Sequence, residues 1–199
     1  MINNVKLIRK NYTTLQKELV RKTIHMTVAF VPLLAGVNTS MTITLLYLGI
    51  FFYLSSEYLR SQGIVIVSAL ASVSEVASRD RDNGITLGPV TLGIGALVAV
   101  SMFNPIAASC GIYALAFGDG LASLTGKLWG RRKIPFSGGK SFIGSFTCFV
   151  MIFSTSFGVT GNFYRSLVAA VGGTVVELIP IKDIDNIIIP LTVAFIISI

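Results

Sequence analysis

Two long runs without a single Asp, Glu, Lys or Arg, Thr23 to Ser56 and Asn83 to Gly118, constrain this chain more than any other feature. Crossing a hydrocarbon core of about 30 Å takes roughly 20 apolar residues. Each run is too long for one crossing and long enough for two. Turn residues divide them, Gly36-Val37-Asn38-Thr39-Ser40 in the first and Asn104-Pro105 in the second. Of the 199 residues, 53% are hydrophobic and 13% charged, where soluble domains carry about 25% charged residues. The mean hydropathy is +0.77. These features predict an all-α, polytopic membrane helix bundle.

The apolar segments predict spans at about 24–37, 41–59, 87–103, 106–124, 141–158, 165–181 and 186–199. Ile64 to Ser78 is apolar but interrupted by Ser68, Ser72 and Glu75, and reads as a helix lying in the interface or as a short eighth span, between which loop charge decides for the first. Met1 to Lys22 holds six basic residues and no apolar core, so residues 1–23 read as a cytosolic amphipathic segment rather than a cleavable signal. Residues 24–199 then form one transmembrane domain with a cytoplasmic loop at 125–141. Basic residues cluster at Lys6–Lys22, Arg60, Arg79 and Arg81, Lys127–Lys140 and Lys182, whereas the turns at 37–40 and 104–105 carry none. Seven spans with a cytoplasmic N-terminus put nearly all of them inside, Arg165 excepted, as the positive-inside rule requires. The net charge of +7 is therefore assigned to loops and anionic headgroups, not to nucleic acid. Cys110 and Cys148 fall within spans and read as buried thiols.

The stretch Phe117 to Ser145 concentrates the chemistry. On a helix Asp119, Ser123 and Lys127 line one face, while Gly118, Ala122 and Gly126 form a small-residue ridge that lets helices approach closely. That ridge also suits a homodimer contact. Gly138-Gly139-Lys140-Ser141 opens the next span; with Ile134 where a Walker A motif needs glycine, it is no P-loop. Free amides at a helix N-terminus beside a lysine still suit phosphate, and Arg131, Arg132 and Lys133 lie close by in sequence. Asp119 suits Mg²⁺, a base for a hydroxyl, or a structural lysine pair. Glu177 reads as a second carboxylate or one reaching the interface. Glu18, Arg21, Lys22 and His25 form one polar stripe whose plain reading is an interfacial anchor with a Glu–Lys pair. Glu57 and Arg60 suit pairing at a helix end, and Arg79-Asp80-Arg81-Asp82 reads as a solvated turn. Acids and bases gathered at one interface suit an anionic soluble reactant meeting a lipid, whereas transporters place such groups near the midplane.

Four stretches, ELVRKTIHM (18–26), FGDGLASLTGKLWGRRKIP (117–135), GKSFIGS (139–145) and VELIPIKDIDNIIIPL (176–191), together resemble the CTP-dependent lipid kinases. That family includes dolichol, phytol and CTP-dependent diacylglycerol kinases. The resemblance implies transfer of the γ-phosphate of CTP to an isoprenoid alcohol (dolichol, polyprenol or phytol type) or diacylglycerol at the cytoplasmic face. Ile143 stands where the dolichol kinase turn carries an acid. Lys127, Arg131, Arg132, Lys133, Gly139, Lys140 and Ser141 are then expected to hold the triphosphate, with Mg²⁺ on Asp119 and Glu177. Asp119, Glu57 or His25 would act on the hydroxyl, with lipid entering along the Gly118–Gly126 ridge. A phosphatidate cytidylyltransferase is the neighbouring alternative, although its paired Lys-Asp…Asp-Arg signature is missing. A small membrane transporter is the alternative of another class.

Overall fold

The computed structural model describes residues 16, 18–62, 86–181 and 183–199. The expected interfacial helix at 64–78 lies outside these residues, as do Arg79–Asp82, Lys182, Lys17 and the basic residues of 1–15. The described chain forms seven helices and, among those residues, no strand beyond one bridge between Lys133 and Ser141. They are α1 (Glu18–Val37), α2 (Thr39–Ser61), α3 (Gly88–Met102), α4 (Pro105–Leu128), α5 (Phe142–Thr160), α6 (Phe163–Leu178) and α7 (Asp185–Ser198). Among the described residues α1, α2, α4 and α5 are long and apolar enough to cross a membrane. With 15 and 14 residues, α3 and α7 reach only about 20 Å at 1.5 Å per residue.

Chain reversals are sharp at one end of the bundle. Asn38 alone separates α1 from α2, and its Oδ1 accepts from the Met41 amide. Asn104 caps α4 through the Ala107 amide, with Pro105 in the first turn, where its missing N–H costs nothing. Gly161, at φ 64°, ends α5, and Asn162 caps α6. A 3₁₀ turn at Thr27–Phe30 leads into Pro32 within α1, as expected where a proline removes a helix donor. Within α4, Ala114–Asp119 forms a π-helical turn that ends on the aspartate; such bulges favour functional sites.

Against α7 pack α3, α4 and α6, with Ile189, Val193, Ala194 and Ile197 buried. Two glycines permit this. A Cβ at Gly95 would come within 2.1 Å of the Asn186 carbonyl oxygen, and one at Gly111 within 2.3 Å of that of Pro190. Pro190 deprives the Asn186 carbonyl of its intrahelical donor, and the exposed oxygen lies against the bare face of Gly95. The Gly118/Ala122/Gly126 ridge of α4 packs on α5. A Cβ at Gly118 would meet Ile152 and one at Gly126 would meet Ser141, while Ala122 is buried. Small residues therefore do bring helices together, but the contact lies within the chain, and the ridge is closed to the lipid entry expected there.

Outward faces are apolar: Tyr47, Leu48, Phe51 and Phe52 of α2 are all more than half exposed. Unbroken patches of this kind mark a surface that meets something other than water.

Candidate active site

Helix α1 begins by Glu18, earlier than the expected 24, because its first turns answer to side chains of α4. Three rungs join the antiparallel pair. Lys22 Nζ donates to Asp119 Oδ2 at 2.6 Å. His25 Nε2 lies 3.0 Å from the Leu115 carbonyl and 3.3 Å from Asp119 Oδ2. Glu18 Oε1 accepts from Ser123 Oγ at 2.7 Å, and Lys127 Nζ lies 2.8 Å from its Oε2. Arg21 also donates to Glu18, at 2.6 Å. The expected Asp119–Ser123–Lys127 face is present, and what it faces is the Glu18–His25 stripe. That stripe is no surface anchor: Glu18, Lys22 and His25 are buried, and the lysine partner of Glu18 is Lys127, not Lys22.

Buried charges survive only when paired and hydrogen-bonded. Lys22 therefore fixes Asp119 as a carboxylate inside the bundle. Both partners of His25 Nε2 are oxygens that only accept, so that nitrogen carries the hydrogen and Nδ1 is the ring's acceptor. Among the described residues no side chain reaches the second oxygen of Asp119.

A cleft opens beside this cluster, lined by Arg21, Lys22, Ile24 and His25 of α1, Thr86, Gly88, Pro89 and Leu92 around the start of α3, Asp119 of α4, and Asp183, Asp185 and Asn186 leading into α7. Asn186 Nδ2 donates to Thr91 Oγ1 at 3.0 Å, fixing α7 against α3. Its neighbour Asp185 accepts only from the Asn186 amide among the described residues. The Thr86 hydroxyl is buried and, among those residues, without a hydrogen-bond partner.

Glu57 stands behind the cleft, not in it. At 2% exposed, it takes two hydrogen bonds from Arg60, at 2.6 and 3.0 Å, and one from the Thr86 amide at 2.7 Å. The expected Glu57–Arg60 pair is present, and it braces the threonine at the mouth of α3. Glu177 belongs to a third group. Its carboxylate lies 3.1 Å from Lys140 Nζ and accepts from Ser145 Oγ at 3.1 Å, and Lys140 also donates to the Glu177 carbonyl. Ser141 caps α5 by accepting from the Gly144 amide; Gly138 and Gly139 both sit at positive φ in the turn before it. Asp119 and Glu177, grouped by sequence, thus have different partners. Arg131 and Arg132 line a separate recess with Trp129, Phe142 and Ile143, and Lys133 is exposed on the bridge to Ser141.

Lys22, Thr86, Asp185 and Asn186 enter the site from outside the expected set. Lys22 stood on the recognised stripe and Asp185-Asn186 in the last matched stretch, so both carried a signal. Thr86 carried none.

Curated relatives fit this arrangement. A probable phytol kinase 1, chloroplastic, of Oryza sativa subsp. japonica is 32% identical over 155 residues, covering 67% of this chain and 48% of that protein. The phytol kinase of Synechocystis sp. is 38% identical over 121 residues, 53% of this chain and 50% of that one. The farnesol kinase, chloroplastic, of Arabidopsis thaliana is 36% identical over 106 residues, 46% and 34% of the two chains. The chain spans about half the length of the first curated relatives it matches. No family model and no solved structure matches it. A helical membrane bundle with its buried ion cluster at one end is thus homologous to kinases of lipid alcohols. Its named relatives act on the isoprenoid alcohols phytol and farnesol.

Proposed function

We propose that this protein transfers the γ-phosphate of CTP to the hydroxyl of an isoprenoid alcohol, at the end of the bundle that holds the Lys22–Asp119–His25 cluster. The observation that carries this reading is a buried carboxylate, fixed by a lysine, opening on a cleft with polar and apolar walls. The relatives' names supply the substrate class, and the resemblance supplies the nucleotide.

The hydroxyl of the alcohol would lie at Asp119, its first isoprene unit against Ile24, Pro89 and Leu92. This replaces entry along the Gly118–Gly126 ridge. Phosphoryl transfer asks mainly for positioning and charge neutralisation. The alcohol oxygen bonds to the γ-phosphorus, the bond from that phosphorus to the bridging oxygen breaks, and CDP leaves with the electron pair. The hydroxyl proton passes to Asp119. Lys22 keeps that carboxylate ionised and aimed, and His25 holds it from the other side. Glu57 is a positioning residue that acts through Thr86. We assign the triphosphate to Lys127, Lys133, Lys140 and the Gly139–Ser141 turn.

Mg²⁺ takes one or two carboxylates plus phosphate oxygens. Among the described residues no three Asp, Glu, His or Cys side chains converge on one point, so with these residues the remaining ligands would be phosphate oxygens. Asp185, lining the cleft beside Asp119, suits the single-carboxylate arrangement and leaves Asp119 to the hydroxyl; Glu177 does not line the cleft. Bound there, Mg²⁺ would neutralise charge on the triphosphate.

The deciding experiment supplies purified protein with phytol, farnesol and phosphatidate, Mg²⁺, and CTP labelled at the γ or the α position. Label passing from the γ position into the alcohol is the expected result. Transfer from the α position alone would make the protein a cytidylyltransferase, and transfer from neither would remove the enzyme reading.

A further inference from the structure

We infer that the recess beside the α4–α5 loop is a binding site for the phosphate headgroup of an anionic membrane phospholipid, separate from the cleft. Arg131 and Arg132 line this recess of about 220 Å³ together with Trp129, Phe142 and Ile143. Among the described residues neither arginine is paired with a carboxylate, whereas Lys22, Lys127 and Lys140 all are. Two unpaired guanidiniums are a fork for a phosphate.

The walls decide what carries that phosphate. Trp129 is 62% exposed and Phe142 59%; a nucleobase can stack on such a ring, but only a lipid also gains from walls that continue into an apolar surface. Here they do continue. Phe146 and Val150 extend the exposed face of α5 below Phe142, and α5 is long enough to span. A lipid fits both parts, its headgroup at the arginines and its acyl chains along α5. An exposed tryptophan beside cations at a helix end is also the usual composition of the headgroup zone.

The loop is fixed, not draped. Arg131 N donates to the Trp129 carbonyl at 2.8 Å and Phe142 N to that of Arg132 at 3.3 Å. A Cβ at Gly130 would fall 2.1 Å from the Gly126 carbonyl oxygen and 2.3 Å from Ser141 Oγ. Glycine there lets the loop fold back on the start of α5.

Trp129 is the chain's single tryptophan, so its emission reports this recess alone. The full chain is reconstituted in phosphatidylcholine vesicles containing a small fraction of brominated phosphatidylglycerol or of brominated phosphatidylcholine. Phosphatidylglycerol should quench Trp129 at least about fivefold more effectively at equal fraction, the scale that even one of the two basic side chains would give near anionic lipid. The difference should vanish in Arg131→Gln/Arg132→Gln and fall without vanishing in Arg131→Lys/Arg132→Lys, where the charge remains and the fork is lost; full retention in the lysine variant would mean general attraction to anionic lipid and would overturn the site. Equal quenching of the wild type by both lipids would overturn the inference. So would a CTP-induced change in Trp129 emission, in vesicles lacking phosphatidylglycerol, that is lost in the glutamine variant. Neither readout involves catalysis, so the kinase proposal can fail while this one stands.

Discussion

Lys22 and Asp119 meet at 2.6 Å with both side chains nearly sealed from water. Removing one partner of such a pair leaves the other charged, buried and alone. Lys22→Met should therefore lower stability by about 3–5 kcal/mol, as for other broken buried pairs. Lys22→Met combined with Asp119→Asn should recover much of that loss, since both charges are then gone. Thermal unfolding in detergent or nanodiscs checks the cycle, and additive losses would refute the coupling. Asp119→Asn alone, which leaves Lys22 buried without its counter-charge, should also cost stability, and in the fraction that stays folded it should lower turnover by about 10²–10⁴-fold, the range for a positioned acid–base group. A folded variant with full phosphotransfer would remove Asp119 from the reaction.

Between helices, the glycines sort into two kinds. At Gly111 an added methyl would meet a backbone carbonyl that cannot swing away, so Gly111→Ala should destabilise by about 1–3 kcal/mol, the usual cost of overpacking. At Gly36 and Gly49 an added Cβ meets nothing within 4 Å, and alanine there should be neutral or slightly stabilising, since glycine is the poorer helix former. Unfolding midpoints of the three variants test the contrast. Much of this level was legible beforehand. The apolar runs, their Asn and Pro interruptions and the GKS turn gave helices close to those observed. The period of the helix put Asp119, Ser123 and Lys127 on one face. What that face met was not legible, because partners some hundred residues apart leave no local periodic trace. The Glu18–His25 stripe thus reads as an anchor from sequence alone, and the Lys140 and Ser145 contacts of Glu177 leave no local trace either. Arg131 and Arg132 likewise shared a short stretch with Lys140 but line a different recess.

Across the molecule, one end carries Arg21, Lys22, Arg60, Lys127, Arg131, Arg132, Lys133 and Lys140. Among the described residues the other end carries Arg165, which reaches the Ile199 carbonyl. By the positive-inside rule the site end is expected to face the cytoplasm. A reporter inserted after Gly138 should be cytoplasmic and one after Asn104 should lie outside; the reverse pattern would invert the protein.

The rungs between α1 and α4 also set a clock. Lys22 and Asp119 are 97 residues apart, and Glu18 and Ser123 are 105. At ribosomal rates of about 5–20 residues per second, the first helix waits roughly 5–20 seconds for the fourth to be made. Throughout that interval its acid, lysine and histidine have no partners from α4, and hydrocarbon is a poor place to hold them. The nascent helix is expected to linger at the lipid–water boundary or in the care of the insertion machinery until Asp119 arrives. Assembly of this buried cluster and completion of membrane insertion should then coincide, so a ribosome halted between α3 and α4 should leave α1 exposed to quality control.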